Sequence, residues 1–327
     1  MISLVDVAIH ATQYPDRVRA DLLESLRSRQ VNHKFHYDSV KQTQKWLALH
    51  QIYSPTRNDA DCLAVYERSF TAAAAQITAP RVTVIGLGCG GGQKDTRLLD
   101  QLNIPGRTVA YAPCDISVAM VLVARQTALA VLPPDHCFPF VFDLAAAGDL
   151  PAVFAARFDP AAARLYTFFG MIPNFPPDLI LPRLASLVRP ADWLLFSANL
   201  APGPDYAAGV RQILPQYDNA PTREWLLTFL LDLGVERTDG ELRFTIAPDP
   251  ASGLQRVEAH FHFTRACRLA IESDTFDFPA GSAIRLFFSY RYTPDRVRSA
   301  LAAHGLQVQE QWITQSNEEG VFLCRRG

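Results

Sequence analysis

Between positions 86 and 92 stand five glycines (86, 88, 90, 91 and 92), and they constrain this chain more than any other feature. They follow a β-branched run, Val82, Val84 and Ile85, which suits a buried parallel strand. After them DTRLLDQL reads as a helix. Strand, glycine-rich turn and helix bring backbone N–H groups and a helix N-terminus against a nucleotide. Glycine is needed because a Cβ would collide with the ligand or forbid the turn's backbone angles. A second strand, TVAYAPC, ends at Asp115, about twenty residues beyond the turn, where a ribose-binding carboxylate belongs. The stretch reads as a nucleotide-cofactor site.

Which nucleotide is left open by these residues. Gly86, Gly88 and Gly91 satisfy the dinucleotide spacing G-x-G-x-x-G, while Gly88, Gly90 and Gly92 satisfy the G-x-G-x-G turn of S-adenosylmethionine methyltransferases. A tight surface turn with no ligand is the plainer alternative.

Length and composition narrow the field. The 327 residues suffice for one large domain or two ordinary ones. With 49% hydrophobic and 20% charged residues the chain is globular rather than disordered. A net charge of −2 supplies no global field toward nucleic acid or an anionic membrane. The six cysteines (62, 89, 114, 137, 267 and 324) are scattered without C-x-x-C spacing, as free thiols in a reducing compartment would be. The N-terminus lacks the basic start and apolar stretch of a signal peptide. The apolar run at 225–231 is far too short to span a bilayer. A cytoplasmic protein with neither membrane nor nucleic-acid partners is expected.

Along the chain, residues 16–28 and 59–77 carry apolar positions at helical spacing, with one or two short helices between them. From Arg81 strands and helices alternate: VTVIG, DTRLLDQL, TVAYAPC, VAMVLVARQTALA, PFVFDL, the short LPAVF segment, RLYTFFG, LILPRLASLV and DWLLFSANL. That alternation argues for a parallel, doubly wound sheet. After Asn199 it stops. TREWLLTFLLDLG reads as a helix, and ELRFTIAPD, LQRVEAHFHFTRACRLAIE and AIRLFFSYRYT read as antiparallel strands. A final helix stopped by Gly305 and two strands end the chain.

Several ordered segments resemble the histidine Nα-methyltransferases of ergothioneine biosynthesis: FHYD (35–38), YSPTR (53–57), LGCGGGQKDTRLLDQL (87–102), CDIS (114–117), FDL (142–144), FFGMIPNF (168–175), QYDN (216–219), VEA (257–259) and FSYRY (288–292). The resemblance implies a Rossmann-like class I methyltransferase sheet with an additional α+β substrate-binding lobe. It implies S-adenosylmethionine as cofactor, rather than NAD, and a small amino acid or amine as methyl acceptor. The expected division is 1–78 as the helical part of the substrate lobe, 79–200 as the cofactor core, 201–292 as an inserted substrate-binding region, and 293–327 completing the core sheet.

Carried onto this sequence, the resemblance implies cofactor contacts at Tyr53, Gly88, Gly90, Lys94, Asp115, Asp143 and Leu144. Asp115 would take the ribose hydroxyls, Asp143 and Leu144 would face the adenine, and Tyr53 would close over the cofactor. Asn174 and Tyr217 would hold the acceptor's backbone groups, with Tyr37 near its amine as the catalytic residue. Plainer roles exist for each: Asn174 as a turn residue, Tyr37 and Tyr217 as packed aromatics, Lys94 as a solvated helix-start residue, and Asp143 as a helix cap.

Three departures stand out. Gly86 occupies a position where many such enzymes carry an acidic residue. Phe287 aligns with a glutamate that grips the imidazole in the family, while Ser289 is retained, and Ala259 aligns with a methionine of that pocket. Phe287 would remove a charge-assisted hydrogen bond, worth about 1.5–3 kcal/mol, and line the pocket with a ring. The expectation is a kept amino-acid handle with an altered side-chain preference. A non-catalytic binding relative and an NAD-linked oxidoreductase are the rivals. His260 and His262, with Cys267 beyond, lack a fixed third ligand, so no metal is expected.

Overall fold

A computed structural model describes residues 4–53 and 58–327. Residues 54–57, most of the YSPTR segment, lie outside them. The strands in chain order are β1 (Ala8–Ile9), β2 (Arg81–Leu87), β3 (Thr108–Asp115), β4 (Phe140–Val141), β5 (Ala163–Phe168), β6 (Trp193–Asn199), β7 (Gly240–Asp249), β8 (Leu254–Phe263), β9 (Cys267–Ile271), β10 (Asp274–Phe278), β11 (Ala283–Arg291), β12 (Leu306–Ile313) and β13 (Glu319–Arg326).

Eight of them form one sheet in the order β1-β4-β3-β2-β5-β6-β13-β12. Its pairs are parallel up to β6, and β13 then runs antiparallel to both β6 and β12. β2 is central and buried on both faces from Val82 onward. Its period of two sends Val82 and Val84 into one apolar cluster and Ile85 and Leu87 into the other. Helices Ala60–Gln76 and Gln93–Leu102 cover the first face through Val65, Phe70, Leu98 and Leu99. Helices Leu150–Arg157 and Pro177–Leu187 cover the second through Phe154, Ile180 and Leu184.

Strands β11, β8 and β7 make a separate antiparallel sheet, and β9 with β10 make a hairpin. Their apolar faces share a third cluster with Leu26 of helix Pro15–Ser28 and Trp225, Leu226, Phe229 and Leu230 of helix Ala220–Asp232. The Trp225 indole N–H donates to the His36 carbonyl at 2.8 Å, tying the two sequence-distant helical parts together. A buried hydroxyl pair, Thr43 Oγ1 and Ser117 Oγ at 2.8 Å, joins helix Val40–Tyr53 to the start of helix Val118–Ala128.

The sequence does not foretell β1, β10 or helix Tyr206–Ile213, each too short for a periodic signal. The LPAVF segment is helical, within Leu150–Arg157, and PFVFDL keeps only the two strand residues of β4. The aromatic region after residue 28 holds one 3₁₀ turn, His33–His36, before helix Val40–Tyr53.

Gly92 joins this fold to its functional end. It caps helix Gln93–Leu102 at φ 74°, and an added Cβ would lie 2.7 Å from the Ala124 Cα on the neighbouring helix. Backbone cannot yield as a flexible side chain does. Gly92→Ala is expected to cost about 1–3 kcal/mol, read as a lower denaturant midpoint. An unchanged midpoint would mean that the two helices are not held at this spacing.

Candidate functional site

The C-terminal ends of β2, β3 and β4 and the glycine turn open onto a cavity of about 720 Å³. Ligands of open α/β sheets bind at this edge. Gly88 and Gly90 adopt φ 66° and 51°, and both line the cavity. A Cβ on Gly88 would meet Met171 Cγ at 2.7 Å, and one on Gly90 would meet the Trp46 ring at 3.0 Å. The turn is therefore bare because two opposing side chains already crowd it.

Asp115 ends β3, and its two carboxylate oxygens accept from the Gly90 N–H at 3.2 Å and the Ser117 N–H at 3.1 Å. Burial pushes its pKa up to about 6, against those backbone donors. Asp143 follows β4 and is 5% exposed; it accepts from the Ala145 N–H at 2.9 Å, and burial raises its pKa as well. Leu144 is buried beside it on the cavity wall. Lys94 Nζ donates to the Tyr66 hydroxyl at 2.8 Å and lies 3.9 Å from Glu319, to which Tyr66 also donates. Tyr53 lines the outer rim and is exposed, with Trp46 and His50 stacked one turn before it at 4.8 Å.

The lobe contributes Tyr37 and His33 to this cavity, and the turn Ile172–Asn174 after β5 contributes Asn174. The Tyr37 ring lies 5.0 Å from His33, 5.4 Å from Trp225 and 6.0 Å from Trp46. Burial, and then the Asp115 charge, hold its hydroxyl protonated well above the ordinary tyrosine range. His33 faces the same space with its Nε2 unpartnered among the described residues, and burial lowers its pKa to about 3. A neutral imidazole and a neutral phenol thus border the cavity.

Tyr217, Phe287 and Ser289 are not among the lining residues. Tyr217 donates to Ser289 Oγ at 2.8 Å and accepts from Arg291 Nη2 at 2.7 Å. Phe287 is 7% exposed and packs behind His33 (5.8 Å), Tyr217 (6.0 Å) and Trp225 (6.0 Å). Its cross-strand partner on β8 is Ala259, so the ring lies opposite the small residue. His260 and His262 point off β8 with Glu258 3.7 Å from His260; among the described residues no group of three His, Cys, Asp or Glu is placed to hold a metal ion.

Asp95 and Arg291 are among the lining residues that escaped the sequence reading. Asp95, in the first turn of helix Gln93–Leu102, is 3% exposed. Arg291 is 4% exposed; apart from Tyr217 it donates only to the Leu200 carbonyl at 3.4 Å, its Nε is unpartnered, and no carboxylate among the described residues pairs with it. Arg291 lies inside the quoted FSYRY segment, but nothing in a strand pattern marks an arginine as buried.

The donor set fits an adenosyl sulfonium compound. Carboxylates at strand ends suit hydroxyls and an amine, and Leu144 and Trp46 offer apolar faces.

A family model described as histidine-specific methyltransferase, SAM-dependent, matches residues 18–326. A histidine N-alpha-methyltransferase of Mycobacterium tuberculosis (strain CDC 1551 / Oshkosh) is 27% identical over 294 residues, covering 84% of this chain and 83% of that protein. An S-adenosylmethionine-dependent methyltransferase structure from Clostridium acetobutylicum ATCC 824 superposes with a TM-score of 0.47 at 12% identity, covering 87% of this chain and 98% of the other.

Hydrogen bonds to a charged acceptor contribute about 1.5–3 kcal/mol. Asp115→Ala should therefore weaken S-adenosylhomocysteine binding roughly 10- to 100-fold in calorimetry. Unaltered affinity would remove Asp115 from the cofactor site.

Proposed function

Because the chain belongs to the histidine-specific, S-adenosylmethionine-dependent methyltransferase family, we propose that it methylates the amino nitrogen of a small amino acid whose side chain differs from histidine. It is a methyltransferase, and its cofactor is S-adenosylmethionine. The acceptor and the roles of single residues are our reading. The observation that carries it is a single cavity lined by carboxylates and the glycine turn together with Tyr37 and Asn174.

In this reading Gly88, Gly90, Lys94, Asp115, Asp143, Leu144 and Tyr53 hold the cofactor, which supplies an electrophilic methyl group when bound. Residues 79–200 and 293–327 then form the cofactor core, and 1–78 with 201–292 form the lobe that presents the acceptor. Asn174 orients the acceptor amine through its carbonyl oxygen. Arg291, buried with no carboxylate partner among the described residues, supports an acceptor that carries its own anionic group, with Tyr217 and Ser289 fixing the guanidinium. The absence of any helix among the described residues long and apolar enough to cross a membrane, and the six free cysteines, support a cytoplasmic enzyme.

Tyr37 orients rather than deprotonates. Methyl transfer needs a neutral amine in line with the leaving group, so catalysis is mostly alignment. A phenol with a raised pKa keeps its proton at neutral pH, and His33 with a lowered pKa stays neutral there. The rise of rate with pH should follow the acceptor's own amine. Tyr37→Phe is expected to lower kcat roughly 10-fold, the cost of one hydrogen bond, and to leave the midpoint of the pH profile in place. A midpoint that moves with this substitution would make Tyr37 the base.

Phe287 and Ala259 set the side-chain preference in this reading. From behind His33 the ring takes the place of a charge and Ala259 gives it room, so the layer behind the cavity wall is repacked rather than left open. Turnover across free amino acids and biogenic amines should favour a less polar or aromatic side chain over histidine, and Phe287→Glu should raise histidine turnover. A clear wild-type preference for histidine would defeat the proposal.

A further inference from the structure

Asp95 occupies the volume that a side chain at position 86 would need. A Cβ built on Gly86 lies 2.3 Å from Asp95 Oδ2, so the two positions exclude one another. The carboxylate is clamped from the two strands that flank β2. Tyr111 on β3 donates to Oδ2 at 2.6 Å, and Thr167 on β5, the register partner of Gly86, donates to Oδ1 at 2.7 Å. Asp95 and Thr167 both line the cavity beneath the glycine turn.

Its partners are neutral. Among the described residues no lysine, arginine or histidine forms an ion pair with Asp95, and the adjacent Lys94 turns its ammonium to Tyr66 and Glu319 instead. A carboxylate has about four acceptor sites, of which two are filled. A buried charge with spare acceptors and no counter-ion is costly unless a ligand brings the cation.

The cofactor brings two cations, the sulfonium and the α-ammonium of its methionine end. We infer that Asp95 receives that α-ammonium, doing from the helix what Gly86 cannot do from the strand; this rests on the cofactor assignment above. Asp115 lies a turn away at the end of β3, already holding Gly90 and Ser117. Glu319 has Lys94 and Tyr66 as partners, and Asp143 lies after β4 with the Ala145 N–H on its carboxylate. Asp115 and Asp95 are both met by neutral hydrogen-bond donors; what sets Asp95 apart is that it stands in the volume a side chain at position 86 would fill.

Calorimetry with three defined ligands tests this on the full chain. These are S-adenosylhomocysteine, its analogue with the α-amine replaced by hydrogen, and 5′-methylthioadenosine, which lacks the amino-acid end. The wild-type chain should bind S-adenosylhomocysteine at least about 10-fold more tightly than the deaminated analogue. In Asp95→Asn that ratio should fall below about threefold, with 5′-methylthioadenosine affinity unchanged. Asp95→Ser provides the same reading should the amide not fold. An undiminished ratio in either variant overturns the inference. So does an equal loss for 5′-methylthioadenosine, which would mark Asp95 as a structural support. If none of the three ligands binds the wild-type chain, the cofactor assignment itself falls, and this inference with it.

Discussion

Carboxylates held out of water at the ends of buried strands are the constraint on which this arrangement turns. The central sheet is apolar on both faces, so its strand ends are the places where polar side chains can meet a ligand without opening the core. Burial lifts both Asp95 and Asp115 to about 6, yet each remains ionised at neutral pH because the fold aims donors at it. Asp115 is answered by two backbone N–H groups and Asp95 by two hydroxyls. Those donors hold position without cancelling charge. The glycines serve the same end, since side chains at 86, 88 or 90 would strike Asp95, Met171 or Trp46.

The lobe solves a different problem. Its core is built around aromatic rings, with Phe35, Trp225, Phe229, Phe261 and Phe287 in one cluster. A glutamate in place of Phe287 would need a partner within that cluster, and the wall there offers rings and the neutral His33. The pairing of Phe287 with Ala259 across β11 and β8 ties the two departures into one packing unit. A change of specificity carried by coupled neighbours should not be read from either residue alone.

The alternation of strands and helices from Arg81 to Asn199 was legible because buried parallel strands and amphipathic helices leave distinct periodicities. The glycine turn and Asp115 were legible because few other arrangements need bare backbone before a helix and an acidic strand end. Asp95 was not. One acidic residue in the first turn of a helix is ordinary chemistry for the helix dipole, and only the three-dimensional conflict with Gly86 shows its other use. Arg291 was hidden by the same ambiguity, since strand position says nothing of whether a counter-ion lies within reach. Phe287 was legible as a departure, but its packing against His33, Tyr217 and Trp225 was not, since it depends on contacts between segments far apart in the chain.

The distribution of charge also bears on how little chemistry the protein itself must perform. Negative groups gather at the sheet end, and Arg291 of β11, without an ion pair among the described residues, lines the same cavity close to the end of β6. The same cavity is lined by a phenol that keeps its proton and an imidazole that does not take one. Groups that neither take nor give a proton leave alignment as what such walls can supply. In such a site a displaced residue costs rate through geometry, because an in-line transfer tolerates little error in angle or distance. Hence the importance of the buried Thr43–Ser117 link, which fixes helix Val40–Tyr53 against the start of helix Val118–Ala128, and of the bond from Trp225 to His36, which holds the two helical parts of the lobe together.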